Sequence, residues 1–200
     1  MSYSSCLADI TADLILDASV FINLSASGVA EEILRALPQR AFMVDIAASE
    51  VQLDSRTGRS DSDTLQGIVG PPTLCLVNLD EHGLALFEKL VPVLDDGEAA
   101  TIAAAVSRRA IVVVDERKAR RVCAKEFPDT PHASTIDLFA HAGVVKEFGR
   151  NKLAEALYAA LKNARMCVRA DQRDWVVDLV GRERAVGCGS IPRPHKFRKT

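Results

Sequence analysis

Short apolar runs alternate with helical patterns along this chain, and two of the runs end on an aspartate. Leu14-Ile15-Leu16 stops at Asp17, and Ile111-Val112-Val113-Val114 stops at Asp115. Ala110–Val114 is the plainest strand: its branched side chains favour a pleated backbone, and its unbroken apolar character leaves no face for water. Further strands are predicted over Ala41–Val44 and Thr73–Asn78, with a short one near His132–Ser134. Between them the spacing predicts helices over Val20–Leu24, Val29–Leu37, Ile46–Leu53, Glu81–Leu90, Glu98–Ser107 and Arg117–Lys125. A further helix, Thr135–Ala142, ends at Gly143. Asp54–Thr64 is polar and reads as a loop, and Pro71-Pro72 as a break. Such alternation calls for an α/β fold: a parallel sheet covered by helices on both faces.

Beyond Gly143 the pattern is helical. Lys152–Lys162 carries Leu153, Leu157 and Leu161 on one side, and Asp171–Val180 is a shorter helix around Trp175. From Gly181 on, glycine, proline and basic residues take over, including Arg193, His195, Lys196, Arg198 and Lys199. The expected division is a catalytic domain over 10–145, a helical extension packed on it over 146–182, and a basic, flexible tail over 183–200. Apolar residues make up 48% of the chain, enough for a substantial core. The formal charge of −2 argues against a protein that coats nucleic acid non-specifically and leaves room for a local basic patch. The five cysteines are widely spaced and form no C-x-x-C, which disfavours a disulfide framework or a zinc site and fits a cytoplasmic setting. Met1–Ser5 lacks the marks of a signal peptide, and no run approaches the ~18 apolar residues of a membrane span.

The acidic residues carry the functional argument. Asp17 and Asp115 follow strands that should be parallel, and the ligand crevice of such sheets lies beyond the strand carboxyl ends. Each is equally placed to cap the helix that follows it. Glu98 opens a helix on the same side as Ile102 and Val106, so it sits at the top of a buried face; a helix N-terminus would favour it without any ligand. Glu50 shares the side of Ile46 and Ala47, or is an exposed residue of a short helix. Asp95 and Asp96 read as carboxylates at the start of a helix, with Asp96 the cap and both in reserve as ligands. Asp137 reads as a solvated helix residue, with a fifth site carboxylate as the alternative. Buried carboxylates are costly unless paired, protonated or bound to a cation, and four converging acids make a site for a hard divalent ion. Ser19 and Asn23 are candidates to support that site, or else bond locally within turn and helix.

Arg117, Lys118, Arg120 and Arg121 follow Asp115 directly, and Arg56 and Arg59 lie in the loop after Glu50. They are candidate contacts for a phosphate backbone, or a solvated surface. Other chemistries lack their residues. No G-x-G-x-x-G follows the first strand and no Walker sequence exists. No nucleophile elbow accompanies the histidines, and Ser19 stands where a haloacid-type phosphatase needs a second aspartate. A phosphoacceptor domain around Asp17 lacks its acidic pair and its lysine. Cys123 lies among basic residues but also beside Val122 and Ala124, and reads as a buried structural thiol.

The segments Leu14–Leu24, Ala48-Ser49-Glu50-Val51, Leu94–Ile102 and Val114–Arg120 resemble, in order and rough spacing, the motifs of PIN-domain ribonucleases of the VapC toxin type. The resemblance spans about 10–145 and extends more loosely to about 165. It implies a three-layer α/β/α fold with a central parallel sheet. It also implies Asp17, Glu50, Glu98 and Asp115 as catalytic metal ligands, with Ser19, Asn23, Asp96 and Glu116 around them. Val114 departs from a common threonine, and Ser134 from the glycine that often precedes Thr135. The implied activity is Mg²⁺- or Mn²⁺-dependent endonucleolytic cleavage of RNA. The implied setting is a toxin–antitoxin pair in which a small antitoxin occludes the acidic pocket; a homodimer is also implied. In a two-ion version, with ions about 3.5–4 Å apart, Asp17 would bridge them. The alternative is a catalytically weak PIN-like module that binds RNA or protein.

Overall fold

The computed structural model describes residues 3–53, 61–164 and 166–193. Strand β1 (Leu14–Leu16) leads into helices α1 (Ala18–Ser27) and α2 (Ala30–Ala36). Strand β2 (Ala41–Val44) leads into α3 (Asp45–Leu53) and α4 (Asp61–Ile68), and β3 (Leu74–Val77) into α5 (Glu81–Leu90) and α6 (Asp96–Arg108). Strand β4 (Ile111–Val113) is followed by α7 (Arg117–Glu126), and β5 (His132–Ala133) by α8 (Thr135–Phe139), α9 (Ala142–Asn163), α10 (Arg173–Val180) and α11 (Arg182–Val186).

The five strands form one sheet in the order β3-β2-β1-β4-β5, and every pairing is parallel. Helices cover both faces, so the observed architecture is the expected three-layer α/β/α arrangement. Alternation along the strands explains the two cores. Leu14, Leu16, Ile111 and Val113 point to one face, where α1, α2, α8 and α9 cover them. Ile15, Val112 and Val114 point to the other, packed with Phe42, Val44 and α6. Burying each such side chain contributes about 1.5–3 kcal/mol. Helix α6 lies close to the sheet because its inner surface is built from Ala99, Ala100, Ala103, Ala104 and Ala105, all buried.

Three local readings change. Asp61–Ile68 forms helix α4 rather than the end of a loop; Leu65 is buried, and the Ser25 hydroxyl donates to Asp61 Oδ1 at 2.6 Å. Helix α1 runs ten residues, to Ser27, well past Leu24, with Ser25 and Ser27 buried and the Ser27 hydroxyl donating to the Leu24 carbonyl at 2.5 Å. Gly143 does not end a helix. Helix α8 stops at Phe139, and Gly143 lies in the first turn of α9, where a Cβ would stand 2.4 Å from the Ala36 carbonyl oxygen. The glycine is there for close approach, which sequence spacing cannot distinguish from a stop signal. Helix α9 is kinked at Gly149 and packs along α1, with α10 against it. Arg56, Arg59 and the basic positions 195–199 lie outside the described residues. No helix among the described residues is long and apolar enough to cross a membrane.

Candidate active site

The strand order reverses at β1, which has β2 on one side and β4 on the other. This is the switch point at which doubly wound sheets open a crevice beyond the strand carboxyl ends. Leu16 pairs with Val113, so the residues that follow them emerge side by side. The Asp17 amide donates to the Val113 carbonyl at 3.1 Å, and Asp17 is 4% exposed. Asp17 also caps α1, its carboxylate accepting from the Ser19 amide at 3.1 Å and from the Ser19 hydroxyl. Both readings of Asp17 therefore describe the same residue.

Asp115 is different. Helix α7 is capped by Glu116, whose carboxylate accepts from the Lys118 amide, so Asp115 is not needed there. It is buried and held from three sides. Oδ1 accepts from the Thr135 amide at 2.8 Å, and Oδ2 from the Thr135 hydroxyl at 2.5 Å and from Asn23 Nδ2 at 2.7 Å. The supporting role considered for Asn23 thus falls on Asp115, and that of Ser19 on Asp17.

Glu50, on α3, reaches the start of α6. Its Oε1 accepts from the Gly97 amide at 2.8 Å, and a Cβ on residue 97 would stand 2.2 Å from Glu50 Oε2. A glycine before Glu98 is therefore what allows Glu50 to approach. Gly97→Ala should push the Glu50 carboxylate out of the crevice while α6, which tolerates alanine well, keeps its fold. The expected result is a drop of about 10–100-fold in any activity that needs Glu50, with little change in Tm; kinetics beside thermal melts check it. The cap of α6 is Asp95, accepting from the Glu98 amide at 2.9 Å, and not Asp96. A one-residue shift of helix start separates the two readings, and neighbouring aspartates give no sequence signal to choose.

Glu98 is 6% exposed, and its carboxyl is pushed well above the usual range, chiefly by burial and then by Asp95, Glu116 and Asp17. Hydrogen bonding to Glu116 acts in the same upward direction on Glu98. Asp17 is pushed up to about 6, by burial first and then by Asp95 and Asp115, against the Ser19 donors that pull it down. Glu50 is raised by burial and by Asp95, Asp17 and Asp96, and Asp115 is raised by burial in spite of its three donors. Asp95 recurs in three of these environments. It is the acid that sequence reasoning undervalued beside Asp96.

Asp17, Glu50, Glu98 and Asp115 thus come from four chain segments to one electrostatic neighbourhood. Among the described residues none of them forms an ion pair with a lysine, arginine or histidine. Nor, among the described residues, are three acids, cysteines or histidines already drawn together as a finished ligand set. Uncompensated carboxylates repel, and Asp17, Glu50 and Asp115 are each engaged by donors of their own. The donor chemistry, hard carboxylate oxygens with surplus negative charge, suits a hard divalent cation such as Mg²⁺ or Mn²⁺.

Of the basic residues on α7, Arg117, Lys118 and Arg121 are exposed. Arg120 is partly buried, its charge pulls Asp115 downward, and its Nε has no hydrogen-bond partner among the described residues. Cys123 is buried, and burial pushes its thiol up to about 12, as a structural residue requires. Asp137 is not the solvated residue expected. It is fully buried and bonded to Tyr3, which stands 134 positions away and is invisible to any local pattern.

No curated protein and no solved structure matches the chain. A family model described as a PIN domain matches residues 13–168, most of the sequence. PIN domains have a nuclease-type fold and typically use divalent metals, which agrees with a buried acidic crevice at the switch point of a parallel sheet. The chain belongs to the PIN-domain family.

Proposed function

We propose that the chain is a divalent-cation-dependent endoribonuclease whose ligands are Asp17, Glu50, Glu98 and Asp115. The observation that carries this reading is the gathering of these carboxylates, with raised proton affinity and, among the described residues, without a cationic side chain paired to them, at the switch point of the sheet. Bound Mg²⁺ or Mn²⁺ would supply Lewis acidity toward a phosphate oxygen and would acidify a water. The chain's own residues set up that chemistry. Ser19 orients Asp17, Asn23 and Thr135 fix Asp115, and Gly97 admits Glu50. Glu116, beside Glu98, adds to the negative charge that favours a cation there.

Arg117, Lys118, Arg120 and Arg121 supply positive charge beside the acids for a polyanionic backbone, with Arg120 nearest the centre. RNA is the substrate class that the resemblance favours. An antitoxin partner would silence the crevice by presenting a cation of its own to these acids. The test is incubation of purified protein with structured and single-stranded RNA, and with matching DNA, in Mn²⁺ or Mg²⁺ and then in chelator. Metal-dependent internal cleavage of RNA is expected. Intact RNA across the panel in both metals would sink the reading, and preferential cutting of DNA would correct the substrate class.

A further inference from the structure

Helix α8 is braced by Tyr3 near the N-terminus and by the stretch between α9 and α10. Asp137, in its first turn, accepts from the Tyr3 hydroxyl at 2.5 Å, the Ser134 amide at 2.9 Å and the Ser134 hydroxyl at 2.6 Å. From the stretch between α9 and α10, Arg169 reaches Asp137 Oδ2 at 3.5 Å, Ser134 Oγ at 3.3 Å and Tyr3 Oη at 3.1 Å. Gln172 donates to the Tyr3 hydroxyl at 3.0 Å and to Ser134 Oγ at 2.8 Å, while its own carbonyl accepts from the Arg169 amide at 3.1 Å. Donors and acceptors balance throughout. Asp137 and Gln172 are fully buried, and Ser134 is 2% exposed. Burial alone would raise the Asp137 carboxyl; the Ser134 and Tyr3 donors and the Arg169 charge hold it below the usual range, so it stays ionised.

Between Ser134 and Asp137 lies Thr135, whose amide and hydroxyl hold both oxygens of Asp115. Tyr3, Arg169 and Gln172 all fall outside the matched stretch 13–168. We propose that Tyr3, Arg169 and Gln172 are positioning residues. By clamping Ser134 and Asp137 they fix Thr135, and through it the direction in which Asp115 presents its carboxylate. This deepens the nuclease reading and rests on it for its catalytic consequence. It gives the segment after α9 a positioning role at the active site. Buried polar networks act as units, so loss of one member loosens the rest.

The experiment compares Tyr3→Phe, Arg169→Met and Gln172→Leu, with Arg169→Lys as the conservative variant. Glu155→Gln serves as control; it breaks an exposed pair with Arg184 elsewhere in the C-terminal helices. The first readout needs neither metal nor substrate: hydrogen exchange at the Thr135 amide, under conditions where all variants are folded. Exchange about tenfold faster than in the parent is expected for the first three variants, with partial recovery in Arg169→Lys and no change in Glu155→Gln. The second is calorimetry with Mn²⁺, where binding about tenfold weaker is expected. The third is RNA cleavage, with kcat lowered about tenfold and KM unchanged. Variants that merely melt at lower temperature, with parental Thr135 exchange and parental Mn²⁺ affinity, would overturn the proposal. If the parent cuts no RNA, the nuclease reading fails while the exchange measurement still decides the clamp.

Discussion

Asp17→Asn is expected to abolish divalent-dependent cleavage of RNA while raising the melting temperature of the metal-free protein. The activity loss should be at least about 100-fold, since even groups that only support a ligand cost 10–100-fold when removed. The gain in stability follows from burial. Asp17 is pushed up to about 6 from an ordinary value of 3.8, so at neutral pH the fold carries a charge it disfavours. That shift is on the order of 3 kcal/mol, and asparagine keeps an acceptor for Ser19 without the charge. For a chain of this length, roughly 6–12 °C of added Tm should result. Asp115→Asn is expected to lose activity and to lower Tm, because both carboxylate oxygens accept from N–H groups and an asparagine NH2 would face one of those donors. A variant that cut as fast as the parent would remove Asp17 from the site; one that was inactive but melted lower would show that its carboxylate is a structural asset.

The second large effect concerns pH and cations together. An acid whose folded value is raised binds its proton in the native state at pH values where the unfolded chain has already released it. Stability then falls as pH rises through that interval, and the loss is complete above the folded value. For Asp17 the interval runs from its ordinary value to about 6, and the upward direction at Glu98, Glu50 and Asp115 has the same sign. Metal-free protein should therefore become more stable when acidified from pH 7.5 to about 5.5, against the usual trend. At pH 7.5, Mn²⁺ at about 100 times its Kd should add about 2.7 kcal/mol, equivalent to roughly 5–10 °C of Tm. The cation effect should shrink as pH falls through 6, where protons compete for the same oxygens. Thermal melts over a pH series with and without Mn²⁺ check it. A cation shift that does not depend on pH would place the ion elsewhere.

Asp17 and Asp115 were readable in the sequence because each ends an apolar run, and the end of a strand is a position in space as well as in sequence. Glu98 followed from its helix, since Ile102 and Val106 fix which side of the helix is buried. Glu50 was harder, because nothing in its own short helix says that it meets Gly97 on another. That contact explains why a glycine stands before Glu98, but only once the two segments are seen together. Asp95 was underrated because adjacent aspartates differ by one helical step of about 100°, which decides capping yet leaves no mark on composition. Asp137 is buried for a reason no period shows: besides its local bonds to Ser134, it is engaged by Arg169 and Tyr3, 32 and 134 positions away. Helix α4 went unseen because its residues are polar and its stability comes from packing Leu65 and bonding Asp61 to Ser25.

The network around Ser134 also bears on how the protein is cut for laboratory use. A fragment trimmed to 13–168 would retain all four acids and the whole sheet, yet discard Tyr3, Arg169 and Gln172 together. Asp137 would then lose Tyr3 and Arg169, the donor and the counter-charge that hold its carboxyl below the usual range. Such a truncation could look like an inert relative of an active enzyme when its only defect is where the scissors fell.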